Sequence, residues 1–310
     1  MSAAIAPPVG EAPAIAPTRR RRSRYFRNPW RKPLILKSIT LAYLCWSILP
    51  VVVAILISFT SGRSRAIFQP PLSLRWWIHD DLSVWKNSEY RNAIFHTVRL
   101  GLSVVAITVP IGTMFALAMS RWRSRGTGAV NFFVLLAFVV PELILGLALL
   151  ITFSQLFTFI GLGTRAQILG VATFQISYPV IIIRSRLISI GKQFEEAAMD
   201  LGASPVQSLR RVLLPMLYPA IFVSAVLVFA DTIDEFVIVR YLSLGAGTEP
   251  LSVKVYTAAR GSPVPSVNVM ATIMLMTTLL VVGGGGLAYK RLAKQEKGEA
   301  SAVQEFALQI

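Results

Sequence analysis

Four carboxylic acids stand in stretches that are otherwise apolar. Glu142 lies near the middle of one long apolar run, and Asp231, Asp234 and Glu235 close a later run. An ionised acid at membrane depth is costly, so it usually has a function. The last three are spaced i, i+3 and i+4, which places them on one face of a helix. Such carboxylates can line a path for a cation with several ammonium groups, or they can pair with arginines, and the sequence leaves both interpretations open.

The residues needed for covalent or metal chemistry are scarce. The chain has two histidines, His79 and His96, both outside the predicted membrane spans, and one cysteine, Cys45, inside the first apolar run. We find no HExxH, GxSxG or GxxxxGK[ST] pattern, so a metalloprotease, a serine hydrolase or an ATP-binding loop is not indicated. The sequence therefore predicts no catalytic residue, no metal site and no cofactor on this chain. A membrane-embedded enzyme is the alternative from a different class, and a channel or receptor is a third.

The apolar composition indicates that the acids lie on membrane-spanning helices. Of 310 residues, 54% are hydrophobic and only 15% are charged, whereas soluble domains carry about 25% charged residues. Runs of about twenty apolar residues match the thickness of a bilayer as α-helices. The sequence predicts an all-α integral membrane protein with six transmembrane helices. The predicted spans cover residues 39–59, 97–119, 129–153, 168–183, 217–237 and 267–289.

The formal net charge of +16 is distributed in a way that predicts topology. Lys and Arg are concentrated before the first span, in the 121–125 and 184–211 segments, and after the last span. Because basic loops stay in the cytoplasm, both termini are predicted to be cytoplasmic. Residues 1–33 are predicted to be a disordered basic tail near anionic lipid, residues 34–290 the transmembrane domain, and residues 291–310 a second cytoplasmic tail. This distribution argues against nucleic-acid binding.

A polar insert, FEEAAMDLGASPVQSLRRVLLPM, interrupts the apolar pattern between the fourth and fifth spans, within residues 191–216. Its first half predicts a helix on which Glu196 and Asp200 share a face. Gly202 is the natural left-handed stop of that helix. The insert is therefore predicted to face the cytoplasm as a helix, a tight turn and a second helix.

The second helix of the insert has its own start and stop signals. Ser204 is predicted to cap it, with Pro205 in the first position and Gln207 completing a capping box. Pro215 is predicted to end it at the membrane. From physical chemistry alone, such an insert either docks a soluble partner or anchors the loop at the membrane interface.

The spacing of the insert resembles the EAA motif of ABC-importer permease subunits. The motif is EAA, three residues, Gly, nine residues, a β-branched residue, any residue and Leu-Pro, with Val212 here where isoleucine is usual. The matching residues are Glu196, Ala197, Ala198, Gly202, Val212, Leu214 and Pro215. The segments FVVPELILGLALL, YPVIIIRSRLISI and DEFVIVRYLSLGAGTEPLSVKVY are similar to the second permease of spermidine/putrescine-type importers. The resemblance covers roughly residues 90–280.

The resemblance implies a permease subunit of an ATP-driven importer in the bacterial inner membrane. Its implied partners are a second permease in a heterodimer, two cytoplasmic subunits that hold ATP and Mg, an extracytoplasmic solute-binding protein and the lipid bilayer. The insert would be the coupling helix that contacts the ATPase. Its implied contact set is Glu195, Glu196, Ala197, Ala198, Asp200, Gly202, Ser204, Pro205, Arg210, Leu214 and Pro215.

The solute implied by the resemblance is a small cation such as spermidine or putrescine. The path for that cation would pass Glu142, Asp231, Asp234 and Glu235. Importers of the same group handle opines, amino-acid derivatives, thiamine or ferric iron, and these solutes remain alternatives.

Overall fold

The computed structural model describes residues 34–121, 127–261 and 264–307, which form α-helices and short helical turns with no β-strand among them. This confirms the all-helical prediction. The twelve α-helices of the described residues are α1 Leu34–Ser58, α2 Ser88–Arg121, α3 Thr127–Val139, α4 Glu142–Ile151, α5 Thr164–Gln175, α6 Ser177–Ile190, α7 Gln193–Asp200, α8 Pro205–Ser208, α9 Leu214–Asp234, α10 Val237–Leu242, α11 Leu251–Gly261 and α12 Ser266–Ala307.

The chain divides into two compact units, Met1–Val51 and Val52–Ile310. The first unit contains most of α1, an apolar helix with Pro50 in its interior. The predicted disordered tail, residues 1–33, lies outside the described residues. The second unit contains the end of α1 and all the other helices, and it carries every functional residue considered below.

Five helical segments are long and apolar enough to cross a bilayer. They are Leu36–Ser58, Ser88–Arg121, Thr164–Ile190, Pro205–Asp234 and Ser266–Lys290. They correspond to the first, second, fourth, fifth and sixth predicted spans, and each is longer than the span predicted from the sequence. The fourth is longer because α5 and α6 follow each other almost directly, with only Ile176 between them.

The predicted third span is not one helix. It is divided into α3, which ends at Val139, and α4, which begins at Glu142, and a further helical turn at Thr152–Leu156 follows α4. The break falls at Pro141, which has no backbone N–H to donate and which disfavours helical geometry in the residue before it. As a result Glu142 lies in the first turn of α4 rather than in the middle of a continuous helix.

The prediction that Pro215 ends the second helix of the insert is wrong. The helix runs without a break from Pro205 through a π-helical turn at Leu209–Leu213 into α9, where Pro215 lies at the second position. A π-helical turn shifts the hydrogen-bond register by one residue, and a proline at the start of the following segment has no N–H to leave unpaired there. The insert is thus continuous with the fifth span.

The core of the second unit is built around α2, which packs on α5, α6 and α9. Leu100, Val104 and Val228 are fully buried in it. The contact between α2 and α6 is very close at Gly112, where a Cβ atom would lie 2.5 Å from Cγ of Pro179. No side chain larger than hydrogen fits there without moving one of the two helices.

A buried amide ties α2, α5 and α10 together at one end of the bundle. The Gln167 side chain is fully buried. Its Nε2 donates to the Thr248 carbonyl oxygen at 2.8 Å and to Ser243 Oγ at 3.0 Å, while its Oε1 lies 2.9 Å from His96 Nε2. The His96 ring therefore donates to an amide oxygen, which gives this histidine a structural partner.

Candidate functional site

The turn of the insert begins where α7 ends. Gly202 has φ +87°, and the Ala203 N–H donates to the Ala198 carbonyl at 3.0 Å while the Gly202 N–H donates to the Met199 carbonyl at 2.9 Å. These two bonds form a Schellman motif, which needs a left-handed residue at the position of Gly202. The predicted glycine stop is confirmed.

The start of the second helix also follows the prediction. Ser204 Oγ accepts from the Gln207 N–H at 3.3 Å, and Gln207 Oε1 accepts from the Ser204 N–H at 3.0 Å. Pro205 occupies the first turn. This is a complete capping box, which satisfies two backbone N–H groups that would otherwise have no partner at the helix start. The local structure of the turn is therefore set by its own residues.

The insert is anchored to the spans by one acid and by apolar side chains. Glu195 forms an ion pair with Arg121 at the end of α2. The Ser208 hydroxyl donates to the Glu195 carbonyl at 3.4 Å. Leu213 is almost fully buried in a cluster with Leu187 of α6. The insert is therefore attached to α2 by an ion pair and to α6 by apolar packing.

The outer face of the insert combines acids with large apolar side chains. Glu196 and Asp200 are exposed, Leu201 is 90% exposed and Val206 is 62% exposed. Exposed apolar groups beside charges are typical of a contact surface for another protein. In the rest of the predicted contact set the exposed side chains are Ala197, Ser204, Pro205, Arg210 and Pro215, and the half-buried ones are Glu195, Ala198 and Leu214.

The structure brings the four acids of the apolar runs together. Glu142 at the start of α4 lies close enough to Asp231 and to Glu235 to repel their charges, and Asp231 and Asp234 repel each other in the same way. Within the described residues, no Lys or Arg forms an ion pair with any of the four. Arg240, the basic residue that follows these acids in the chain, pairs with Glu249, at 2.7 Å.

Glu235 differs from the other three acids. It is only 6% exposed. Its Oε1 accepts from the Ile238 N–H at 2.9 Å, and its carbonyl accepts from Ser252 Oγ at 2.6 Å. Its carboxylate therefore caps the start of α10. Asp231 and Asp234, in contrast, are exposed on the surface of this chain.

Asp234 borders a cavity of about 400 Å³ with an aromatic wall. The rings of Phe236 and Tyr256 lie 4.7 Å apart, and the Arg260 guanidinium lies 4.4 Å from the centre of the Tyr256 ring. The face of Tyr256 therefore already holds a cation supplied by the chain itself. The cavity is lined by Asp234, Phe236, Ser252, Val255, Tyr256, Ala259 and Met274.

Sequence reasoning missed two residues beside the acids. Gln175 at the end of α5 is fully buried, and its Nε2 donates to Asp231 Oδ2 at 2.7 Å. The half-buried Tyr178 of α6 lies near Asp231, Glu142 and Glu235, with which it interacts electrostatically. A glutamine inside an apolar run was the available signal, because polar side chains in spans need partners.

A charged network outside the spans holds the neighbouring segments. Lys254 is 5% exposed, and its Nζ lies 3.1 Å from Glu89 of α2 and 3.2 Å from Glu249. Burial lowers the pKa of Lys254, but the hydrogen bonds that its ammonium group donates to Glu89 and Glu249 outweigh this effect, so the net pKa is raised. Lys254 therefore stays charged at neutral pH and fixes α11 to the beginning of α2.

Known proteins similar to this chain include permeases named for polyamine transport. The chain is 30% identical over 290 residues to the putrescine transport system permease protein PotI of Escherichia coli strain K12, which covers 90% of this chain and 96% of the relative. It is 28% identical over 251 residues to the spermidine/putrescine transport system permease protein PotC of the same strain, covering 81% and 92%.

Solved structures show the same fold. A bacterial alginate ABC transporter, in complex with an alginate pentasaccharide-bound periplasmic protein, has a chain with TM-score 0.66 at 18% identity, covering 87% of this chain and 99% of that one. A chain of the methionine ABC transporter MetNI in inward-facing conformations has TM-score 0.53 at 18% identity, covering 65% and 93%.

The family model for the inner membrane component of binding-protein-dependent transport systems matches residues 108–294, more than half of the chain. Members of this family are transport subunits and are not themselves enzymes. Together with the apolar helices, the match makes this a multi-pass protein of the bacterial plasma membrane. The chain belongs to the family of inner membrane components of binding-protein-dependent transport systems, as a permease subunit of an ABC importer.

Proposed function

We propose that this permease carries a small organic cation, a polyamine such as spermidine or putrescine, past the acids at the ends of α4 and α9. The observation that supports it most is that Asp231 lies close enough to both Glu142 and Asp234 for their charges to repel it, with no basic partner among the described residues. Carboxylates repel each other, and a multiply charged cation relieves that repulsion. Glu235 is buried beside them as the cap of α10. The relatives named for putrescine and spermidine transport agree with this solute.

The proposed topology has six crossings with both termini in the cytoplasm. The division at Pro141 is compatible with it, because α3, α4 and the turn after α4 together cover residues 127–156. Thirty residues of helix reach ~45 Å, which exceeds the ~30 Å of a hydrocarbon core even with a break. Four crossings from a cytoplasmic start return the chain to the cytoplasm, so the insert faces the compartment that contains ATP.

The insert, residues 191–216, is the proposed contact for the ATP-binding subunit. Its exposed face, with Glu196, Asp200 and Leu201, is suited to a groove that offers a basic group and apolar walls. The ATPase closes on ATP and Mg, and the ion pair of Glu195 with Arg121 carries the displacement of the insert to α2. The complete importer would contain this chain, a different second permease, two ATPase subunits and an extracytoplasmic solute-binding protein.

The solute path is tested by removing one charge. We expect Glu142→Gln to lower uptake of radiolabelled spermidine by about tenfold in proteoliposomes that contain the complete importer, because a charged partner of an ammonium group is lost. Assembly with the ATPase and basal ATP hydrolysis should persist. Asp81→Asn is the matched control, because its side chain is fully exposed and lies outside the spans. Normal spermidine uptake by the Glu142→Gln importer would contradict the proposed path.

A further inference from the structure

Gln175 contains a polar atom whose partner is not supplied by the part of the chain that the structure describes. Its side chain is fully buried. One end of the amide, Nε2, donates to Asp231 Oδ2 at 2.7 Å, while Oε1 has no hydrogen-bond partner. The assignment of the two amide atoms follows from chemistry, because an ionised carboxylate accepts only and must face the N–H₂ group.

A buried amide oxygen without a partner is costly, at a level comparable to a lost hydrogen bond. An apolar side chain of the same size would avoid that cost, so the oxygen requires an explanation. Among the described residues, the other buried side-chain atoms in this condition are Ser83 Oγ, Arg121 Nε and Thr278 Oγ1. Gln175 is the one of these four residues that is hydrogen-bonded to an acid of the proposed path.

We propose that Gln175 Oε1 accepts a hydrogen bond from an ammonium group of the transported cation while Asp231 binds the charge of that group. This inference rests on the proposed function and names a specificity-determining residue for it. An alkylammonium group has at least two N–H donors, and one carboxylate oxygen satisfies only part of them. The amide oxygen supplies a second acceptor, and its Nε2 holds the Asp231 carboxylate in position at the same time.

A neutral acceptor suits a transport path better than a fifth carboxylate would. A path must bind its cargo strongly enough to admit it and weakly enough to release it. Gln175 adds a directional hydrogen bond without adding charge to a cluster that already contains four acids. It therefore favours cations that carry N–H groups over cations that do not, and it holds them less tightly than a further carboxylate would.

The test compares two variants in the complete importer, reconstituted with its partner permease, ATPase subunits and binding protein, with radiolabelled spermidine as the probe. Gln175→Met keeps the volume and removes both the acceptor and the donor. Thr278→Val is the matched control, because it removes another buried oxygen that lacks a partner, on α12.

We expect Gln175→Met to lower spermidine uptake at least tenfold and Thr278→Val to match wild type, since a hydrogen bond to a charged group accounts for roughly a tenfold effect or more. Unchanged uptake in Gln175→Met would overturn the proposal. An equal loss in Gln175→Met and Thr278→Val would also overturn it, because the removal of any buried oxygen without a partner would then have the same effect.

If Gln175→Met does not assemble with the ATPase, Gln175→Asn decides the question. It retains the amide and withdraws it by one methylene, so that it cannot contact Asp231 and the cation together. A tenfold loss of uptake in an assembled importer supports the role of the Gln175 amide, and normal uptake refutes it. A wild-type importer that does not accumulate spermidine would instead refute the polyamine solute of the proposed function, and this role of Gln175 with it.

Discussion

Replacing Gly202 by alanine isolates one property of the insert, its backbone conformation. Gly202 has φ +87°, and a Cβ atom added there would meet no atom within 4 Å. The change therefore causes no steric conflict with a neighbouring element. It only forces an L-residue into a left-handed conformation, which costs about 1–2 kcal/mol. Asparagine tolerates this conformation better than most other non-glycine residues, so Gly202→Asn is the control that also adds a side chain but causes less backbone strain.

The free-energy cost of the strained backbone should weaken the binding of any partner that requires this turn. If the ATPase recognises the folded turn, Gly202→Ala weakens the binding of the ATPase subunit to the permease by about fivefold to thirtyfold. Gly202→Asn should weaken it less. The measurement is a titration of detergent-solubilised permease complex with purified ATPase subunit, together with spermidine uptake in proteoliposomes. Equal affinities for wild type, Gly202→Ala and Gly202→Asn would show that the ATPase does not depend on this turn, and the reasoning would fail.

Two further predictions concern the elements that position the insert. Gly112→Ala should destabilise the protein by about 1–3 kcal/mol through overpacking against Pro179, which is measured as a lower thermal unfolding temperature in detergent. The control Gly284→Ala adds a Cβ in open space and should not lower that temperature. Equal unfolding temperatures for the two variants would contradict the close contact at Gly112. Arg121→Glu should lower spermidine uptake while binding of the ATPase persists. The loss should correspond to a free energy between the ~1 kcal/mol of an exposed ion pair and the ~3 kcal/mol of a buried one. Adding Glu195→Arg should recover part of the uptake, and no recovery would show that the pair does not transmit the displacement.

Much of the insert was predictable because its signals are local. A glycine in the left-handed region, a serine with a glutamine three residues later and a proline in the first turn each act through their own backbone neighbours. Gly202 and Ser204 are therefore found where the sequence placed them. Pro215 was misread because a π-helical turn changes the hydrogen-bond register around it, and no residue type marks such a turn in advance.

The arrangement of the acids was predictable only in part. The spacing of Asp231 and Asp234 places them on one helix, but the position of Glu142 beside them depends on how α4 packs on α10 and on the break at Pro141. Glu235 follows Asp234 directly, yet the helix ends between them and turns Glu235 into a cap. Contacts of this kind join residues far apart in the chain, so periodicity alone does not reveal them.

The central claim is that the turn around Gly202 lies in the cytoplasm against an ATPase subunit. Leu201 is 90% exposed, so Leu201→Cys in a Cys45→Ser background gives a single accessible thiol. The control is Leu72→Cys, 70% exposed in the segment between α1 and α2. The account predicts that a membrane-impermeant maleimide labels position 201 only in inside-out vesicles, with the ATPase subunit blocking the reaction, and labels position 72 only from the outside. Labelling of position 201 in right-side-out vesicles would contradict the account.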